Sequence, residues 1–320
     1  MREVLDSARF VVERSKRVHI HEPAVSRFCE TLLGEDFAVP PWDREIHFFD
    51  GGEATVNYLF VLDTLNFCFW PPPGQTKWEI DHGEGTLSGY GALAASLTRA
   101  VQSGTPLLDA GYLSRIDLAG LRQILGGRGT LQLLSERVKG LNELGAALFR
   151  DWDGQAVRMV AAARKSAARL VSLVTRHLSS FRDVATYAGR QIPFYKRAQI
   201  LVADLHGAFD GREWGEFRDM ETLTTFADYK VPQALRELDI LRYDEALSAR
   251  VDGELPIESG SPEEVEIRAC TIWAVELIRR QLEKSGKGLR AYEIDWVLWN
   301  MAQEPIFKKR PYHRTLTVYY

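Results

Sequence analysis

Apolar positions recur at helical spacing along most of this chain. From Ser88 onward, Leu93, Ala94, Leu97 and Val101 fall on one helical face, and Leu118, Leu121, Ile124 and Leu125 continue the pattern. Leu131, Leu134, Val138, Leu141 and Leu144 extend it. Val157, Val160, Ala161, Ala168, Val171 and Val174 predict one helix over 155–178, with Arg158, Arg164, Lys165 and Arg169 on a solvated basic face. Pro193 predicts the start of a helix over 194–208, closed by Gly207 and Gly211. Another is predicted from Val231 to Leu241, opened by Asp228. Ser261-Pro262-Glu263-Glu264 is a start signature for a long amphipathic helix over 263–284, and 293–301 forms the last helix.

The N-terminal part departs from this period. Short helix signals fill the first 40 residues, up to Pro40-Pro41. Trp42 to Trp70 is dense in aromatic residues and ends at Pro71-Pro72-Pro73-Gly74. Lys77–Asp81 and Thr86-Leu87, flanking His82-Gly83-Glu84-Gly85, predict a small β-hairpin. Lys308 to Tyr320 is a basic-aromatic tail. The pattern predicts a mainly α fold in one domain over 1–320, a mixed α/β part at 1–87 packed on a helical part at 88–320. No linker is long or polar enough to separate domains.

Composition narrows the function classes. With 320 residues, 45% of them hydrophobic, the chain can bury a large core. A formal charge of -4 provides no global basic field for a polynucleotide, so a nucleotide would be held by local cations. Cys29, Cys68 and Cys270 are far apart and each follows an apolar residue, as buried free thiols of a reducing, cytoplasmic compartment would. No run of 18 apolar residues and no signal-peptide core occur, so no membrane association is expected. No His, Cys or Asp cluster has metal-ligand spacing, and GxGxxG, Walker and GxSxG motifs are missing, so neither metal nor cofactor is expected.

Phe226-Ala227-Asp228-Tyr229-Lys230-Val231 places a carboxylate just ahead of a helix. Backbone N–H groups and the positive dipole end would keep Asp228 ionised, able to face a developing cation or steer a water. Helix capping is the other role for the same position. Upstream, Phe194-Tyr195-Lys196-Arg197-Ala198-Gln199-Ile200-Leu201-Val202 resembles the lysine-bearing helix of the helix-hairpin-helix base-excision glycosylases, in which a later helix begins with an Asp. Lys196 and Asp228 fall in that order. The glycine-rich hairpin of those enzymes is replaced by Gln191-Ile192-Pro193-Phe194-Tyr195, which removes the backbone cradle for duplex phosphates.

A longer set of motifs spans the chain. Leu65-Asn66-Phe67-Cys68-Phe69-Trp70, Ser88-Gly89-Tyr90, Phe194 to Asp204, Phe226 to Tyr229, Glu264-Val265-Glu266-Ile267-Arg268, Val275-Glu276-Leu277-Ile278, His313-Arg314-Thr315 and Tyr319-Tyr320 stand in one order. In these the chain resembles the queuosine salvage family, the queuosine 5′-phosphate N-glycosylases. The resemblance implies a glycosylase-like helical fold that hydrolyses the N-glycosidic bond of queuosine 5′-monophosphate and releases queuine, which can be reinserted into tRNA. A 7-deazapurine lacks N7, so protonation there cannot help the base depart, and stabilising the ribose oxocarbenium ion must supply more. Asp228 takes that role and orients the water.

The resemblance also implies substrate contacts. Phe67, Phe69 and Trp70 could stack on the base or be plain core, and Asn66 could bond its edge or cap a turn. Tyr90 belongs to the same set. Asp204 is a candidate for the queuine ammonium, with a salt bridge as the alternative. Lys196, Lys230, His313 and Arg314 are candidates for the 5′-phosphate. Glu264 and Arg268, at i and i+4, are expected to form an intrahelical ion pair. The partner is a small nucleotide bound by a monomer, with no stable nucleic-acid complex. The rival readings are a nucleic-acid-binding protein with a degenerate helix-hairpin-helix element and a base-excision DNA glycosylase.

Overall fold

The computed structural model describes residues 1–34 and 39–320. The chain is mainly helical, with short antiparallel strand pairs. Helix α1 (Arg2–Val12), strand β1 (Val18–Ile20) and helix α2 (Glu22–Gly34) come first. Helix α3 (Glu53–Leu65) precedes the hairpin of β2 (Glu79–His82) and β3 (Gly85–Ser88). Helices α4 (Gly89–Gln102), α5 (Ala110–Leu113), α6 (Leu118–Leu125) and α7 (Leu134–Asp151) follow. Next are α8 (Ala156–Ala162), α9 (Ala167–His177), β4 (Val184–Tyr187), β5 (Arg190–Pro193) and α10 (Lys196–Ala208). The remainder comprises α11 (Lys230–Glu237), β6 (Leu241–Tyr243), α12 (Glu245–Asp252), α13 (Pro262–Lys284) and α14 (Ala291–Met301). No described helix is long and apolar enough to cross a membrane.

Two compact units form, each assembled from separate stretches. The first comprises Met1–Pro40, Asp183–Gln199 and Asp219–Thr317; the second comprises Pro41–Arg182, Ile200–Arg218 and Val318–Tyr320.

Helix α13 is the spine of the first unit, because it is apolar on two faces and so can be covered on both. Ile267, Cys270, Val275 and Ile278 pack with Val25, Phe28, Val231, Leu235, Ile294 and Leu298. Val265, Ala269 and Ile272 pack with Val4, Ala8, Val11, Ile192 and Phe194. Its start is as the sequence predicts: the Ser261 side chain accepts from Glu264 N, and Pro262 occupies the first turn. β1 pairs antiparallel with β6. The buried Glu266 carboxylate fixes the turn before β1, accepting from the Ser15 hydroxyl and Arg17 N, both at 2.8 Å.

The second unit packs α3, α4 and α7, whose Leu59, Leu62, Leu93, Leu97, Leu141 and Leu144 are fully buried. Helices α5 and α7 approach backbone to backbone at Gly145, where a Cβ would lie 2.4 Å from Ser114 N and 2.5 Å from Ala110 O. Any side chain there would force the helices apart.

Several expectations change. The 155–178 stretch is two helices, because Arg164 and Lys165 take left-handed φ values of 53° and 61° and Ser166 caps a new start at α9. The period alone does not reveal such a break, since the apolar residues keep their spacing across it. Strands β4 and β5 lie in a region expected to be helical; Ala188 and Gly189, both at positive φ, make the two-residue turn between them. Pro193 therefore ends a strand, and helix begins only at Lys196. Helix α11 ends at Glu237, the chain turns at Asp239 (φ 60°), and Leu241 enters β6. The hairpin near residue 80 and helices α13 and α14 form where expected.

Candidate active site

The stretch Thr224 to Tyr229 has no regular secondary structure, yet all six residues are buried. Buried backbone outside helices and sheets needs partners from side chains. Thr224 N donates to Gln199 Oε1 at 2.9 Å, and Phe226 N to Asp295 Oδ1 at 2.7 Å. Ala227 O accepts from Arg268 Nε at 3.0 Å. The path to Asp228 is thus held by side chains from α10, α13 and α14.

Asp228 is 7% exposed. Its Oδ1 accepts from Lys230 N at 2.7 Å and Val231 N at 2.9 Å, the first amides of α11. The cap expected from sequence is present. Burial nevertheless raises its proton affinity above that of an ordinary carboxyl group, opposed by the Lys196 charge, the two amides and the Lys230 charge. The amides alone would hold it low; desolvation outweighs them.

Lys196 is the first residue of α10, 5% exposed. Its amide donates to Asp183 Oδ2 at 3.3 Å, and the Asp183 carbonyl accepts from Phe194 N at 2.9 Å. Tyr195, just before, holds a left-handed φ of 50°. A side chain costs about 1 kcal/mol or more there, so the turn depends on its surroundings. Arg268 supplies them. Its guanidinium donates to both Asp183 oxygens at 2.9 and 2.5 Å, lies 3.3 Å from Glu264 Oε1, and sits 3.9 Å from the Phe194 ring centroid. The expected Glu264–Arg268 pair is present, and Asp183 makes it a buried triad that binds the approach to Lys196 and the approach to Asp228 through one side chain.

Asp295, on α14, is the second buried acid. Its Oδ1 accepts from the Thr225 hydroxyl as well as from Phe226 N. Burial and the Asp228 charge push its carboxyl up to about 7, against Thr225, Phe226 N and Lys196. Asp183 and Asp295 are not among the residues that the sequence motifs single out. The available signal for Asp295 was an acid inside the apolar run Ile294-Asp295-Trp296-Val297-Leu298; Asp183, in a loop, gave none.

The other candidates of the first unit divide. Lys230 is close enough to act on Asp228, bonds Gln233 Oε1 at 3.1 Å and lies 4.7 Å from the Tyr312 ring centroid. His313 is buried, and desolvation with the charges of Arg268 and Arg236 lowers it to about 3. It is therefore a neutral imidazole at pH 7, not a cation. Arg314 Nη2 pairs with Glu254 Oε1 at 2.7 Å.

In the second unit, Asn66 ends α3 and donates to Asp63 Oδ1 at 3.2 Å. Phe67, Phe69 and Trp70 are buried. The fully buried Arg137 donates to the carbonyls of Phe67 and Cys68 and lies 4.1 Å from the Phe67 ring centroid. Its guanidinium so covers one face of that ring. Tyr90 Oη lies 2.8 Å from His47 Nε2 and 3.5 Å from Asp204 Oδ2. His47 Nδ1 meets the Asp43 carbonyl, which can only accept, so the imidazole proton sits on Nδ1 and Nε2 accepts from Tyr90. Burial and the Asp204 charge drive the Tyr90 pKa well above its usual value, so the phenol stays protonated.

Cys29, Cys68 and Cys270 are free and buried, and burial lifts the Cys270 thiol to about 12. Among the described residues, no group of three or more His, Cys, Asp or Glu could hold a metal ion.

Residues 46–320 match the family described as queuosine salvage protein. A queuosine 5′-phosphate N-glycosylase/hydrolase of Sphaerobacter thermophilus is 49% identical over 317 residues, covering 99% of this chain and 97% of the relative. The Bos taurus protein of the same name is 37% identical over 334 residues, with 98% of each chain covered. The Schizosaccharomyces pombe one is 30% identical over 330 residues, covering 95% of this chain and 92% of the relative.

Proposed function

The chain belongs to the queuosine salvage family, and from this premise we propose that it hydrolyses queuosine 5′-phosphate with Asp228 as the catalytic carboxylate. It releases queuine by cleaving the bond between C1′ and the base nitrogen. The bonding electrons leave on that nitrogen, water oxygen bonds to C1′, and one water proton ends on the base. Ribose 5-phosphate is the other product.

Asp228, buried beside Lys196 at the head of α11, carries this reading. Its ionised form faces the oxocarbenium ion, where a water-poor setting strengthens the attraction. Oδ1 is taken by the two helix amides, so Oδ2 is the oxygen presented to C1′ or to the water. A carboxyl group with raised proton affinity is also better matched to accepting the water proton near neutral pH. Lys196 and Lys230 are assigned to the 5′-phosphate. A lysine opening one helix and an Asp heading a later one support a fold of the helix-hairpin-helix glycosylase kind.

Release of queuine from the 5′-phosphate by wild type and Asp228→Asn is the direct test. Asparagine can still accept the two amides, so the fold should persist while kcat falls on the order of 10²–10³-fold. Near-normal turnover by the folded variant would remove Asp228 from the mechanism.

A further inference from the structure

We propose that Asp295 is the positioning residue of the glycosidic step, holding the segment that carries Asp228 through the Thr225 hydroxyl and the Phe226 amide. The inference rests on the reading of Asp228 above. Both donors meet one oxygen, Asp295 Oδ1, three and two residues before Asp228. The segment has no helix or strand of its own, while Asp295 sits within an eleven-residue helix and is 3% exposed. A rigid element thus sets the place of a buried, irregular one. Misplacement of a catalytic group by ~1 Å can lower a rate on the order of 10²-fold.

Holding two donors needs only an acceptor, and asparagine would serve. The acid adds a proton. Asp228 and Asp295 lie close enough to act on each other beside Lys196, so they lose their protons in two steps as a pair. The first leaves Asp228 ionised and Asp295 neutral, one negative charge against Lys196. The second, near pH 7, sets another negative charge beside Asp228. The charged groups that act on or bond the segment include Lys196 from α10, Lys230 from α11 and Arg268 from α13, with Glu264 and Asp183 bound to Arg268.

The test is kcat and KM for queuosine 5′-phosphate across pH ~5–9 for wild type, Asp295→Asn, Asp295→Ala and Asp228→Asn. Asp295→Asn keeps the acceptor and should retain kcat within about threefold below pH 7, while the ionisation near 7 disappears from its profile. Asp295→Ala should lose on the order of 10²-fold in kcat with KM changed less than about threefold. Should the alanine variant fail to fold, the asparagine profile decides. A residue that only supports the fold would leave that profile unmoved, and superimposable wild-type and Asn curves would overturn the proposal. Wild-type kcat in Asp295→Ala would do the same. Loss of turnover in Asp228→Asn with an unmoved Asp295→Asn profile sinks the positioning role alone; near-normal turnover in Asp228→Asn sinks the reading beneath it.

Discussion

Two amides converge on Asp228 Oδ1, and a lysine charge acts on the same carboxylate from the start of another helix. Capping and the proposed acid chemistry would use the same geometry, because whatever holds the first turn of α11 also fixes the direction of the carboxyl group. Lys196 is the strongest of the influences that lower its proton affinity. Lys196→Met should therefore shift the acid limb of the kcat profile to higher pH, since Asp228 would keep its proton longer as pH rises. An unmoved limb would show that the lysine does not set the acid's charge. The same variant reads out phosphate binding: if Lys196 holds the phosphate, preference for the nucleotide over the dephosphorylated nucleoside should collapse with it.

The elements of the first unit meet through Arg268, which lies on α13, binds Asp183 just before β4 and donates to Ala227 at the approach to α11. One positive charge and two carboxylates are buried together, Arg268 being 2% exposed. Removing one member of such a group typically costs about 3–5 kcal/mol, because the remaining charges stay buried and unmatched. Arg268→Met is expected to lose that amount in chemical denaturation and to lower kcat through displacement of both Lys196 and Asp228. A stability change below ~1 kcal/mol would mean that the triad is dispensable to the fold.

Across the whole molecule, two buried groups of opposite tendency shape stability against pH. His313 is neutral in the folded protein and titrates near 3, whereas an unfolded histidine does so near ~6.5. The unfolded chain thus binds the extra proton between those values, and this contribution, complete above about 6.5, is lost as pH falls. Asp295 runs the other way: its folded value of about 7 lies above the unfolded ~3.9, so its contribution is complete below ~3.9 and lost as pH rises through 7. His313→Gln should flatten the acid side of the denaturation midpoint against pH, and Asp295→Asn the neutral side. A His313→Gln curve parallel to wild type would show that the imidazole is not buried neutral. Helical content, the hairpin near residue 80, the long helix α13 with its Ser-Pro start, the Glu264–Arg268 pair and the place of Asp228 at a helix head were legible in sequence, because spacing, caps and turn residues act over a few positions. The break at Arg164-Lys165, the β4–β5 hairpin, the neutral state of His313 and the partners of Asp183 and Asp295 were decided by tertiary structure alone. Desolvation and partner choice depend on which distant residues are packed together, and no local pattern records that.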